Sequence, residues 1–155
     1  MNKIASVKWQ VQQYGYWGPV TTAEPPSVYM QNSFLCTSLT LDIVGINAHS
    51  YFDPYSTPST AGSFVLNQIT ITKNACGGKN VFVTEAGYPH RGITNGGNRP
   101  SYENQGVALR SLFQATQGYV TFFTFRDGYP FFDLADSRFL EGSRAIRGRA
   151  VVGYH

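Results

Sequence analysis

Charge is scarce in this sequence, and so is cysteine. Asp, Glu, Lys and Arg make up 14% of the 155 residues, and the formal net charge is +3. With 42% hydrophobic residues and so few charges, the chain is neither a disordered tail nor a coiled coil. Three arginines (Arg144, Arg147, Arg149) in the stretch from Gly142 to His155 account for the excess charge, which leaves a neutral body. With no basic stripe across that body, no nucleic-acid partner is expected. No apolar run approaches the roughly 20 residues of a membrane span, so no membrane partner is expected either. The start, MNKIASVKWQVQQ, lacks the apolar stretch of a signal peptide. GxGxxG and Walker sequences are absent, which leaves a nucleotide cofactor without support. Without GxSxG there is no nucleophile elbow for a Ser-His-Asp triad. The histidines His49, His90 and His155 have no ligand spacing and CxxC is missing, so no metal and no cofactor is expected. The two cysteines, Cys36 and Cys76, read either as buried free thiols or as one disulfide closing a long loop in an oxidising compartment.

What the chain does have is aromatics, 15% of it, with ten Tyr and eleven Phe. Its length suits one domain with a real core. GPVTTAEPP (Gly18 to Pro26) reads as a short β-branched strand stopped by two prolines. SVYMQNSFLCTSL reads as a short helix, and Leu41 to Ala48 as a nearly continuous apolar strand covered on both faces. TPSTAGSFVLNQITITKNACGG is a helix capped by Thr57 or Ser59, with Pro58 in its first turn. Its apolar spacing runs from Ala61 through Val65 and Ile69 to Cys76, and Gly77 and Gly78 end it. Val81 to Thr84 is a third strand and RGITNGGNRP a glycine-rich loop. Ser101 caps a helix with Val107, Ala108, Leu112 and Phe113 available for its inner face, and YVTFFTFRD is a fourth strand. This alternation predicts an α/β fold with a parallel sheet.

Functional residues in such sheets sit at the carboxyl ends of the strands. Those ends carry Glu24; then Asn47, His49, Tyr51 and Phe52; then Glu85 and Tyr88; then Arg126 and Asp127. Each also has a plain structural reading. Glu85 could cap a helix, Glu24 could be a solvated loop acid, His49 a satisfied core histidine, and the rings rim packing. Amphipathic rings beside polar groups are equally what a carbohydrate platform needs.

DIVGINAHSYFDP, TEAGYPHRG and SYENQGVAL, in this order, resemble fungal members of glycoside hydrolase family 17, the cell-wall β-1,3-glucanases and glucanosyltransferases. The resemblance runs from about Tyr14 to Asp127. It implies the C-terminal half of a (β/α)8 TIM barrel, strands five to eight, over residues 1–127. Residues 128–155 form an irregular, unmatched tail for which disorder is an open reading. It further implies a retaining mechanism with Glu85 as catalytic nucleophile. Asn47, His49, Tyr51, Phe52, Tyr88 and Asp127 would bind β-1,3-glucan, in an extracellular or cell-wall setting. The family usually has Trp at Tyr88, and the smaller ring is expected still to offer a stacking face. Its acid/base glutamate lies in an N-E pair, which this sequence does not contain. The expectation is therefore a truncated glycosidase; the alternative is a non-catalytic glucan-binding or structural wall fragment. Two further expectations follow from the half barrel. The helices carrying Cys36 and Cys76 are neighbours in a right-handed βαβ series, which makes a bridge geometrically reasonable. Two open sheet edges invite either a molten or aggregating species or a homodimer that pairs them.

Overall fold

The computed structural model describes residues 3–37 and 41–123. In chain order these form α1 (Lys3–Gln13), β1 (Ala23–Glu24), α2 (Pro26–Gln31), α3 (Phe34–Thr37), β2 (Val44–Asn47), α4 (Ala61–Ala75), β3 (Val81–Ala86), α5 (Tyr102–Thr116) and β4 (Val120–Phe122). Two 3-10 turns, Ser50–Phe52 and Pro58–Thr60, lie between β2 and α4. The strands are hydrogen-bonded in the order β1-β2-β3-β4, with β1/β2 and β3/β4 parallel, so the α/β alternation is realised. The expected tail from residue 128, Arg126 and Asp127 lie outside the described residues.

The described residues group into two compact units. The first takes residues up to Asn47 together with Gln68–Phe82. Its β1 is only Ala23–Glu24, much shorter than the strand expected from Gly18 to Pro26. The reason is a side chain. Thr21 Oγ1 accepts the Gly45 amide hydrogen at 2.8 Å, replacing a backbone rung, and Pro25 and Pro26 have no N–H to offer. Pro26 instead opens α2 in its first turn, where a missing N–H costs nothing. The single helix expected after it is two, broken at Asn32–Ser33. Asn32 leaves helical geometry at φ −135°, and the Ser33 carbonyl starts α3 by accepting from Cys36 and Thr37. Leu41, Val44, Ile46, Tyr29 and Thr72 are buried here, with the Tyr29 hydroxyl between the carbonyls of Thr22 and Gly45 at 3.0 and 2.9 Å. Cys36 and Cys76 form a disulfide, with their Cα atoms 5.2 Å apart. Helix α1 has Ile4, Val7 and Val11 at helical spacing but buries no side chain, and nothing in the motifs above announces it. Lys8 on α1 meets Asp42 at 2.6 Å. That hydrogen bond, helped by the Val20 amide, holds the Asp42 carboxyl below its usual range.

The second unit takes Ala48–Asn67 and the residues from Val83 onward. Thr57 caps the Pro58–Thr60 turn in a reciprocal capping box with Thr60, and α4 follows directly. Ser101 Oγ accepts the Asn104 amide hydrogen at 3.1 Å and starts α5. The inner stripe of α5 is Gln105, Ala108, Leu109, Leu112 and Thr116; Val107 and Phe113, expected inside, are half-buried at its margins. Gly62 lets the start of α4 lie against α5, because a methyl there would overlap the Ser111 carbonyl.

Candidate functional site

Glu85 does not follow β3; it lies inside it, on an irregularity. Val83 pairs with Val120 and Ala86 with Phe122, so three steps on β3 oppose two on β4. The register thus shifts by one residue at Thr84 and Glu85. Val83 and Ala86, on either side of it, are buried. The Glu85 side chain between them is 29% exposed, while its carbonyl accepts from Ala48 N at 2.8 Å. A rigid backbone thus holds a partly solvated carboxylate.

His49 Nε2 lies 3.8 Å from Glu85 Oε2. That is too long for a hydrogen bond. Nor is it an ion pair at neutral pH. Burial pushes the imidazole down to about 4, although its hydrogen bond with the Gly87 backbone pulls the other way. His49 therefore faces Glu85 as a neutral ring, edge-on to Phe52 at 6.1 Å and Phe123 at 6.4 Å. An unfolded histidine titrates near 6.5. Between pH 6.5 and 4 the unfolded chain takes up a proton that the folded one refuses. This contribution to stability is thus fully present above about pH 6.5 and is lost as pH falls toward 4, by on the order of 3 kcal/mol. Urea unfolding at pH 7.5 and 4.5 should show that loss in the native protein and much less of it in His49→Gln. An equal loss in both would rule His49 out as its source.

The aromatic residues divide into one open ring and two closed ones. Phe52 is 62% exposed, and its ring meets Tyr51 edge-on at 5.3 Å. Tyr51 is buried, its hydroxyl donating to the Ile93 carbonyl at 2.6 Å. Tyr88 is fully buried, edge-on to Tyr51 at 5.9 Å, and its carbonyl accepts from Gln105 Nε2 at 2.8 Å. It offers no solvent-facing side in this unit, unlike the stacking face expected of it. Burial, and secondarily Tyr51, push its phenol up to about 12. The Tyr88 hydroxyl finds no hydrogen-bond partner among the described residues.

The remaining described candidates belong to the first unit. Asn47 ends β2 in the first unit, half-buried. Glu24 ends β1 in that unit and accepts from the Thr22 hydroxyl at 3.0 Å. Sequence reasoning missed Phe123 and the residues that hold the Tyr51–Phe52 loop, Asn95 and Asn98. The NGG run beside those asparagines was the available signal. Among the described residues no group of three or more His, Cys, Asp or Glu is placed to hold a metal, and no helix is long and apolar enough to cross a membrane.

The family model described as BtgE/BtgC glycoside hydrolase domain matches residues 1–130. That span takes in α1, which lies ahead of the Tyr14 start of the motif resemblance. The chain is 40% identical over 114 residues to the probable beta-glucosidase btgE of Emericella nidulans, covering 73% of this chain and 20% of that protein. With the btgE of Aspergillus terreus it is 39% identical over 123 residues, 79% of this chain and 22% of that one. The chain thus spans about a fifth of these curated relatives. Among solved structures it is similar to a glycoside hydrolase family 17 beta-1,3-glucanosyltransferase from Rhizomucor miehei, at TM-score 0.63 and 23% identity, over 79% of this chain and 45% of that one. An active-site mutant of a Rhizomucor miehei beta-1,3-glucanosyltransferase in complex with laminaritriose matches at TM-score 0.61 and 22% identity, over 78% and 44%. At these identities the likeness is one of fold.

Proposed function

The chain belongs to the BtgE/BtgC glycoside hydrolase family, and from that premise we propose that it carries the nucleophile half of a retaining site for β-1,3-glucan. Glu85 is the nucleophile. The observation that carries this reading is the partly exposed Glu85 carboxylate on β3, 3.8 Å from a neutral histidine that has an open ring beside it. In that arrangement a glucosyl ring stacks on Phe52, with Tyr51 and Tyr88 backing it. His49 supplies a polar contact, and Asn47 and Asp127 remain proposed glucan-binding residues.

A retaining glycosidase uses two carboxyl groups about 5–5.5 Å apart, one to attack the anomeric carbon and one to protonate the leaving oxygen. The N-E pair that would supply the second is not in this sequence. Coverage of 45% of the glucanosyltransferase chain supports reading the fold as strands five to eight of a (β/α)8 barrel. The alternative, a non-catalytic glucan-binding piece, draws on that same missing pair. One experiment separates them. A 2-fluoro β-glucoside with a dinitrophenolate leaving group needs no proton from an acid, so it reports on Glu85 alone. Attack forms the glycosyl ester on Glu85 Oε and releases dinitrophenolate. A mass increase localised to the peptide bearing Glu85 is the expected result, and an unlabelled protein that still binds laminaritriose would leave only the binding reading.

The Cys36–Cys76 bridge supports an extracellular, cell-wall setting, because such bonds persist in oxidising compartments. Among the described residues β1 and β4 each have one neighbour in the strand order, which supports pairing of two copies through those edges. Sedimentation equilibrium at micromolar concentration should then give a dimer, and a compact monomer would count against it.

A further inference from the structure

The loop carrying Tyr51 and Phe52 has only one 3-10 turn of regular structure, yet it is held firmly from one side. The holder is the segment Ile93–Asn98. Asn98 is fully buried. Its Nδ2 lies 2.8 Å from the Asp53 carbonyl, 3.2 Å from the Ser56 carbonyl, 3.1 Å from Ser56 Oγ and 3.4 Å from the Ser50 carbonyl. Two amide protons shared among four acceptors make a hub on which the loop folds back. Around it, Gly97 N donates to the Pro54 carbonyl at 3.0 Å and Asn95 Nδ2 to the Tyr51 carbonyl at 2.8 Å. The Tyr51 hydroxyl returns a bond to Ile93. Asn95 and Asn98 exchange both backbone bonds at 2.9 Å, closing a tight turn over Gly96 and Gly97. Gly96 sits at φ +55°, and a Cβ there would overlap the Pro54 carbonyl; one at Gly97 would press on the Ser56 carbonyl. The two glycines are what let the turn lie flush on the loop.

An exposed phenylalanine binds a sugar well only if its ring is placed before the sugar arrives. Phe52 has the edges of Tyr51 and His49 beside it, but its backbone is set by the carbonyls that Asn98 and Asn95 hold. We propose that Asn98 is a positioning residue for glucan recognition, locking the Ser50–Ser56 loop so that Phe52 stands as a ready stacking face. The proposal rests on the glucan reading above.

The test is laminaritriose titration of the whole chain and of Asn98→Ala, Phe52→Ala and their double variant, with amide hydrogen exchange read in parallel. Asn98→Ala should weaken binding about tenfold, the equivalent of one or two lost hydrogen bonds. Its amides at residues 51–56 should exchange faster while those of α5 keep their protection. The double variant should bind no worse than Phe52→Ala alone, because both changes remove the same contact. If Asn98→Ala does not fold, Asn95→Ala, which gives up only the bond to Tyr51, should show the same pattern at about threefold. Unchanged affinity in the folded variant, or losses that simply add, would overturn the proposal. A native chain that binds no laminaritriose overturns the glucan reading instead, and the two failures are thus distinguishable.

Discussion

Glu85→Gln is expected to abolish covalent capture of the fluoro-sugar and any turnover of β-1,3-glucan. The amide is isosteric with the carboxylate but lacks the charge that the proposed attack on the anomeric carbon requires, so the loss would be one of chemistry rather than shape. Binding should survive. Phe52 and its loop are untouched, and laminaritriose affinity should stay within about threefold of native, since the proposed stacking on Phe52 does not use the carboxylate. Stability should move by no more than about 1 kcal/mol, because Glu85 is partly exposed on β3. His49 stays neutral above its value of about 4, so no buried positive charge is stranded when Glu85 loses its own. Mass spectrometry after incubation with the trap reads the outcome directly. Equal labelling of the native chain and the variant would remove Glu85 from the mechanism.

Removing the disulfide should produce the largest stability change. The bridge joins residues 40 apart in sequence, and both sulfurs lie among buried side chains. Cys36→Ala with Cys76→Ala is expected to cost roughly 3–4 kcal/mol, mainly by releasing the unfolded chain from a long closed loop. For a chain of this size that lowers the melting midpoint by roughly 10 °C. Native protein melted with and without reductant should show the same difference, while the double variant should ignore reductant. A midpoint that neither the variant nor reductant moves would show that the bridge adds nothing to the folded state.

Local chemistry settled much of this molecule from its sequence. The capping Thr57 and Ser101, the Gly77–Gly78 stop and the alternation of β-branched and helical runs set where α4, α5, β2 and β3 fall, because each depends on neighbours a few residues away. Glu85 stood out for the same reason, as a carboxylate at the end of an apolar run. Tertiary structure decided the rest. The first strand was cut short because Thr21 gave its hydroxyl to Gly45, a partner 24 residues on. The register shift at Thr84 and Glu85 is a mismatch between two strands and cannot be read from one. Tyr88 went inside because Tyr51 and Gln105 close over it, although an aromatic before proline reads as readily as an open platform. His49 became a neutral neighbour of a carboxylate through burial, and burial is a property of what packs around a residue, not of its type. Asn98 was one polar residue in a glycine-rich loop until three carbonyls more than forty residues earlier converged on its amide.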